Sequence, residues 1–401
     1  MTRLNELINE LCPEGVEYKM LGEVTEMQRG TSLTKVNSNL GEYPVISGGR
    51  EPAFYCDLFN RENETITVAG SGAGAGYVQY WNQKIFVCDA FSIKGSRNLL
   101  TKYIYYCLEN LQEKIYATKK GGGVPHVHIS SISNFKIPIP PLPVQEEIVR
   151  ILDKFTSLEA ELEAELEARK KQYEFYRDRL LTFGDVRGGA TSDVVWRTLG
   201  DICKKVVSGG TPQAGNPEYY GGTIPWLRTQ EVDWKDITDT VVKITEAGLN
   251  ASSAKWIPEN CVIVAMYGAT AAKVAINKIP LTTNQACCNL EIDENQALYR
   301  YVFHWLCKEY LSLKALGQGS QSNINAQTIK QYKIPIPSLE IQNKIVNVLD
   351  NFDAICSDLN IGLPAEIEAR KKQYEFYRDA LLTYAATGRT ILTDRQTSIV
   401  R

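Results

Sequence analysis

The chain has 401 residues, 44% hydrophobic and 23% charged, a make-up that suits a soluble protein with two or three cores rather than one. Its 44 Lys and Arg against 47 Asp and Glu leave a formal charge of −3, without the strongly basic footprint of a stand-alone nucleic-acid binder. Ten cysteines with no CxxC pair, only three histidines, no signal-peptide pattern in Met1–Glu6 and no apolar run near about 20 residues argue against a zinc cluster, a disulfide framework, a secretory leader and a membrane span.

The charge is unevenly spread. Residues 19–141 hold 13 Lys and Arg against 10 Asp and Glu, residues 197–338 hold 14 against 12, and the remainder holds 17 against 25. Two mildly basic blocks are thus separated and followed by acidic segments, which predicts weak DNA binding alone and help from a partner.

The first block opens on Tyr18-Lys19-Met20-Leu21-Gly22-Glu23-Val24. Strands are predicted at Thr65–Val68, Tyr77–Tyr80 and Ile85–Val87, and a helix over Tyr103–Thr118. Between the first two strands, Gly70-Ser71-Gly72-Ala73-Gly74-Ala75-Gly76 has the look of a phosphate cradle. No Gly-Lys-Ser/Thr follows and the GxGxxG register fails, so a tight strand connection is expected instead. A polar loop, Lys119–His128, closes the block. Lys119 and Lys120 suit phosphate or guanine, His126 and His128 are weaker candidates, and Arg50 after Ser47-Gly48-Gly49 is a further donor.

The run FKIPIPPLPVQEEIVRILDKF (Phe135–Phe155) starts a helix, because proline fits a helix start and nothing from Gln145 to Phe183 breaks one. Apolar residues at Ile148, Leu152, Phe155, Leu158, Leu162, Leu166, Tyr173, Tyr176 and Leu180 keep helical or heptad spacing. A helix of this length reaches about 60 Å and must bridge or pair. Its middle, LEAELEAELEAR (Leu158–Arg169), repeats every four residues. Each repeat turns its leucine only about 40° around the axis. The leucines should therefore share one face, the glutamates should fan toward solvent, and the segment can act as a ruler that gains or loses a unit.

The second block opens on Trp196-Arg197-Thr198-Leu199-Gly200-Asp201-Ile202, with strands predicted at Val262–Met266 and Lys273–Ile276 and a helix over Tyr299–Leu316. Its closing loop carries Gln318, Gln321, Asn323 and Asn325, amides that can pair bidentately with adenine, while Thr211, Arg228 and Gln230 are further donors. Asn216-Pro217-Glu218-Tyr219 approaches the Asn-Pro-Pro-Tyr signature of adenine methyltransferases but lacks the second proline and any preceding glycine-rich adenosylmethionine motif. No spaced carboxylate cluster of a nuclease stands out, and a non-catalytic chain is expected. After YKIPIPSLEIQNKIVNVLDNF (Tyr332–Phe352), Gly362-Leu363-Pro364 should break the second helix before it resumes.

The chain is a duplication. Glu167–Asp178 and Glu368–Asp379 both read EARKKQYEFYRD, the two IPIP segments match, and the front motifs match, giving units Tyr18–Phe183 and Trp196–Tyr384. Each unit joins a diverged α/β or α+β block to a preserved tail. Two different targets for the blocks and one shared task for the tails, met by two identical partner molecules, would explain this. Arg169, Lys170, Tyr173, Tyr176 and Arg177 recur as Arg370, Lys371, Tyr374, Tyr377 and Arg378, and are expected to supply a partner-docking surface.

Taken together, the front Leu-Gly-Glu/Asp motifs, Ser208-Gly209-Gly210-Thr211-Pro212 with Tyr219-Tyr220-Gly221-Gly222 and Ile224-Pro225-Trp226, the IPIP motifs and the RKKQYEFYRD tails resemble the specificity subunits of type I restriction-modification systems. The LEAE repeats are similar to the spacer repeats of that family's type IC branch. Copy one departs from the Gly-Thr-Pro pattern with Arg29-Gly30-Thr31-Ser32.

The resemblance implies two target-recognition domains held apart by long antiparallel coiled-coil helices in a pseudo-twofold arrangement. On that plan residues 1–141 are the first recognition domain, 142–184 the spacer helix, 185–338 the second recognition domain and 339–401 a helical C-terminal region. It also implies a bipartite site on double-stranded DNA, two modification subunits that methylate adenine, ATP-driven restriction subunits, and a cytoplasmic protein without membrane contact. Adenosylmethionine, ATP and Mg would sit on the partners and no cofactor on this chain. Two other readings remain open: a self-sufficient DNA adenine methyltransferase, and a coiled-coil scaffold without DNA contact.

Overall fold

The computed structural model describes residues 2–183, 194–317, 323–358 and 360–387. The chain divides into Met1–Glu163 with Glu366–Arg401, and Ala164–Ala365. In the first unit, Glu64–Ala69 (ETITVA) is buried at five of six positions, as a β-branched run enclosed on both faces should be. It pairs antiparallel with Val78–Asn82 and Ala90–Gly95, and the latter with Thr25–Arg29. A smaller sheet sets Tyr43–Ile46 between Phe54–Cys56 and Phe86–Val87.

The second unit repeats this plan. Val262–Ala265 lies between Val274–Asn277 and Cys287–Ile292, which pairs with Cys203–Ser208. Tyr220–Leu227 runs parallel to Leu281–Thr283, as Tyr43–Ile46 does to Phe86–Val87. Ala69 faces Ala90 across one ladder and Ala265 faces Cys287 across the other, so the two diverged blocks keep the same register here, although each sheet of the second has one strand more. The front and IPIP motifs recur together because they are one ladder: Tyr18–Met20 pairs with Lys136–Pro138, and Val195–Thr198 with Lys333–Ile336. Each predicted long helix of the blocks is in fact two, Thr101–Asn110 with Gln112–Ala117 and Tyr299–Lys308 with Tyr310–Ala315. In copy one the turn at Leu111 lets Gln112 reach back, accepting from Val78 N at 3.1 Å and donating to Gly76 O at 2.8 Å.

A buried glutamine latches each tail to its own block. Gln145 Nε2 donates to Pro140 O at 2.7 Å and Asn98 O at 3.1 Å while its Oε1 accepts from Leu100 N at 2.9 Å. Gln342 repeats this with Pro337 O at 2.9 Å, Gln296 O at 3.3 Å and Leu298 N at 2.9 Å. Gln342→Leu would strand these backbone groups in the interior. The expected cost is about 2–3 kcal/mol, read as a lower urea midpoint at unchanged slope; an unshifted midpoint would show that water replaces the amide.

The division between the units falls inside the central helix, Leu142–Leu180, and not at the block edges expected from the sequence. The reason is that each repeat's tail packs on the other repeat's block. In the first unit, Leu381, Leu382 and Ala385 of the C-terminal helix Leu363–Thr387 enter one core with Tyr103, Leu108 and Ile148. In the second, Leu181 joins Tyr301, Leu306 and Leu349.

The helix pairing within each unit is antiparallel. Phe155 stacks on Tyr377 at 5.3 Å, and Lys371 meets Glu159 and Glu163 at 3.4 and 3.2 Å. In the second unit Tyr176 stacks on Phe352 of helix Leu339–Ser357 at 5.5 Å. The repeat glutamates therefore do more than fan into solvent, since Lys371 holds two of them, and Leu158 remains 45% exposed. The break before Leu363 is real, and Gly362 is required there because a Cβ would come within 2.6 Å of Ala354 O.

Where identical tails meet diverged blocks, the contacts use different chemistry at equivalent places. Tyr374 bonds Glu109 in the first unit, where Arg378 also approaches at 3.8 Å. Tyr173 bonds His304 Nδ1 at 3.1 Å in the second, and His304 Nε2 bonds Asp350 at 2.6 Å. These two partners fix a neutral tautomer: Nε2 carries the proton toward the carboxylate and Nδ1 accepts from the phenol. Burial pushes His304 below the ordinary imidazole range, against the hydrogen bond it donates to Asp350, and Arg300 pushes it further; Asp353 pulls the other way.

A depressed imidazole means that the unfolded chain takes up a proton that the folded one refuses. Stability of the second unit should therefore fall as pH drops below about 6.5, by up to about 1.4 kcal/mol per pH unit. Denaturation midpoints at pH 7.5 and 5.5 should diverge less in His304→Gln; an equal divergence would assign the acid sensitivity elsewhere.

Candidate nucleic-acid interface

Sheet register decides which loops meet. In the first unit the ends of Thr25–Arg29, Tyr43–Ile46 and Glu64–Ala69, and the start of Ala90–Gly95, lie at one edge. The Gly-rich stretch is a strand connection, with Gly76 N bonded to Ala69 O at 2.8 Å. It docks on its neighbours through Gly74 N to Gly48 O and Gly72 N to Pro125 O, both 3.1 Å, and Val127 N returns to Gly70 O at 3.0 Å. Glycine is needed where the loops close: a Cβ on Gly30 would lie 2.1 Å from Cys88 O, and one on its equivalent, Gly209, 1.9 Å from Thr283 O.

This edge gathers the predicted residues of copy one. Arg50 is exposed, its guanidinium 5.0 Å above the Tyr77 ring, and Lys119 lies 4.1 Å above Tyr116. Lys120 and His126 exchange backbone hydrogen bonds of 3.0 and 2.8 Å, which sets the rings of His126 and His128 parallel at 6.1 Å. Two residues that the sequence did not mark as contacts stand beside them. Arg29 reaches His128 Nδ1 at 3.5 Å, and the exposed carboxylate of Asp89 takes the hydroxyl of Ser71. Only tertiary register brings Ser71 and Asp89 together, so no local signal could have found that pair.

The second unit builds the same edge from unlike side chains. Exposed Thr211 bonds Gln285, Gly268 N donates to Asn323 Oδ1 at 3.3 Å, and Ile324 N to Met266 O at 2.9 Å. Gln230 is exposed on the neighbouring turn. Arg228 leans on Glu231 at 4.0 Å and its Nε is buried without a hydrogen-bond partner. Asn325 commits its carbonyl oxygen to the Thr328 amide at 2.8 Å, capping helix Ala326–Gln331. Gln318 and Gln321 lie outside the described residues. Asn216 likewise caps its own turn, accepting from Glu218 N at 3.1 Å, instead of opening toward a substrate.

Of the residues expected to dock a partner, the tyrosines serve internal packing. Tyr374 and Tyr377 are buried, Tyr173 is held by His304, and Tyr176 stacks on Phe352. Arg177 and Arg378 lie over Tyr173 and Tyr374 at 5.7 and 5.6 Å. Arg169 and Arg370 bond Gln172 and Gln373, each at 3.0 Å, and Lys170 pairs with Glu167 at 3.0 Å. Tyr176 keeps its outer side 37% exposed, and beside it Phe175 and its equivalent Phe376 face outward, 58% and 39% exposed. Among the described residues no helix is long and apolar enough to cross a membrane.

Comparison with known proteins agrees with this duplicated plan. The family described as type I restriction modification DNA specificity domain matches residues 13–168 and again 191–369. A type I restriction enzyme specificity subunit of Escherichia coli is 34% identical over 411 aligned residues, covering 96% of this chain and 98% of that one. A putative type I restriction enzyme specificity subunit of Haemophilus influenzae is 26% identical, covering 92% and 96%. Among solved structures, the S subunit of a type I restriction-modification system from M. genitalium superposes with a TM-score of 0.59 at 19% identity, covering 94% of this chain and 97% of that one.

Proposed function

The chain belongs to the type I restriction-modification DNA specificity family, and from that premise we propose that each unit reads one half of a bipartite DNA site with the loop edge described above. The observation that carries this is the combination of one shared register with two unlike side-chain sets: cationic and imidazole groups around Arg29 and His128 in the first unit, amides and hydroxyls around Gln285 and Asn323 in the second. Base edges are read by such donors and acceptors, while lysines such as Lys120 fix the register on phosphates.

The chain positions modification and restriction subunits of the system and does no chemistry itself, working in the cytoplasm. Adenosylmethionine, ATP and Mg then belong to those partners. Asn216, tied to its own turn, supports this over a self-sufficient methyltransferase.

Expressing the chain with its own modification subunit and sequencing the methylated adenines should give one interrupted motif with two defined halves. Methyl transfer by the purified chain alone, or binding that shows no salt dependence with the partner added, would overturn the reading.

The uninterrupted helix Leu142–Leu180 supports the ruler role of the LEAE repeats. Deleting one unit removes about 6 Å of helix, against about 3.4 Å per base pair. The unspecified spacer of the motif should shorten by one or two base pairs with both halves unchanged; a constant spacer would reject the ruler.

A further inference from the structure

Each unit carries a groove built from equivalent residues and separate from the loops assigned to DNA. In the second unit a cleft of about 570 Å³ opens between Trp196 on the front strand, Trp305 and Lys308 on helix Tyr299–Lys308, Lys333 on the closing strand, and Leu181 and Thr182 at the end of the central helix. In the first unit a cleft of about 200 Å³ is lined by Tyr18, Cys107, Asn110, Lys136, Leu382 and Thr383. The correspondence is position by position. Tyr18 faces Pro138 and Trp196 faces Pro335 in the two ladders, and Leu181-Thr182 and Leu382-Thr383 belong to the duplicated tails.

The grooves share an exposed aromatic and an exposed lysine; the carboxylate of Glu309 also lines the larger one but is taken up by Lys308 at 3.4 Å and the Tyr332 hydroxyl at 2.7 Å. Tyr18 and Trp196 are 48% and 52% exposed, unusually open for large aromatics. Lys136 and Lys333 are exposed beside them, and no ion pair forms at either among the described residues. Trp305 is buried, yet its indole N–H has no acceptor. An aromatic wall, an unpaired ammonium and, in the larger groove, an unpaired buried donor together fit an apolar side chain flanked by a carboxylate.

We infer that the two grooves are docking sites for two copies of one protein, the modification subunit, each inserting such an acidic-apolar segment. This rests on the reading above that the chain works with that subunit. It places docking away from Tyr374 and Tyr377, which are buried in the first unit, at a position where the tail contributes only a ledge. Two equivalent grooves ask for two identical occupants, whereas the DNA-facing edges have diverged.

The test uses the full chain and its cognate modification subunit in analytical ultracentrifugation. The wild-type chain should take up two copies. Trp196→Ala with Lys333→Glu should leave one, Tyr18→Ala with Lys136→Glu should leave the other, and all four changes together should leave none, each altered site weakening at least about thirtyfold. All four positions are exposed, and an unchanged thermal melt shows that folding is intact. Lys136→Arg with Lys333→Arg should keep both copies. A fourfold variant that still binds two copies overturns the groove assignment alone. A wild-type chain that binds none overturns the reading beneath it as well.

Discussion

Replacing Arg300 by leucine is expected to destabilise the second unit by about 3 kcal/mol while leaving the first unit's unfolding unchanged. The Arg300 guanidinium is 14% exposed and binds three carboxylates: Asp350 at 2.6 Å, Asp353 at 3.3 Å and Asp236 at 3.2 Å. Asp350 also holds His304, which holds Tyr173 of the central helix. Removing the cation leaves Asp350 facing a neutral imidazole and two further acids, and loosens the attachment of the tail. The carboxylates are 30–40% exposed, so water screens part of the loss and the lower end of the range for a broken buried pair applies.

Tryptophan fluorescence suits the measurement, because Trp196, Trp226, Trp234, Trp256 and Trp305 lie in the second unit and only Trp81 in the first. The equivalent residue of the first unit, Lys102, makes one bond to Asp153 at 3.0 Å, and Lys102→Leu should cost at most about 1 kcal/mol. Equal losses at the two positions would mean that the clasp stabilises no more than a surface pair.

How far the sequence could be read depends on whether a feature is local. The IPIP and front motifs were legible as a repeat, but that they form one ladder needs a partner strand more than 110 residues away. The heptad spacing of the tails was legible because helical periodicity is written within a few turns. Which block each tail touches was not, since identical tails carry no address. That is set by Glu109 in one block and His304 in the other, residues that look like ordinary helix positions. Tyr374 and Tyr377 appeared to be a docking surface for the same reason: recurrence shows that a residue matters, not which side it faces. On the loop edge, Arg50, Lys120 and His128 were legible from composition, while Ser71, Asp89 and Gln285 acquire meaning only from register.

Asp89 gives the sharpest test of that edge. A carboxylate set beside Arg29, His126 and His128 would repel a phosphate, yet it accepts well from the amino group of cytosine or adenine in the major groove. Ser71 holds it in place. Asp89→Asn is therefore expected to relax one base of one half-site, lowering discrimination there by about 10- to 100-fold, with the other half-site unchanged. Lys120→Ala should behave differently, weakening binding to all sequences and flattening the salt dependence by about one counterion. Both are read from methylation motifs and from binding at two salt concentrations with the modification subunit present. A motif altered in both halves by Asp89→Asn would contradict the assignment of one half-site per unit. The second unit offers no substitute, because the ladder that places Ala69 opposite Ala90 places Ala265 opposite Cys287, which puts Ala286 at the position of Asp89. Ala286 carries no side-chain acceptor, so on the proposed reading Ala286→Ser should leave the second half-site's preference unchanged, whereas Gln285→Ala, which removes the partner of Thr211, should relax it.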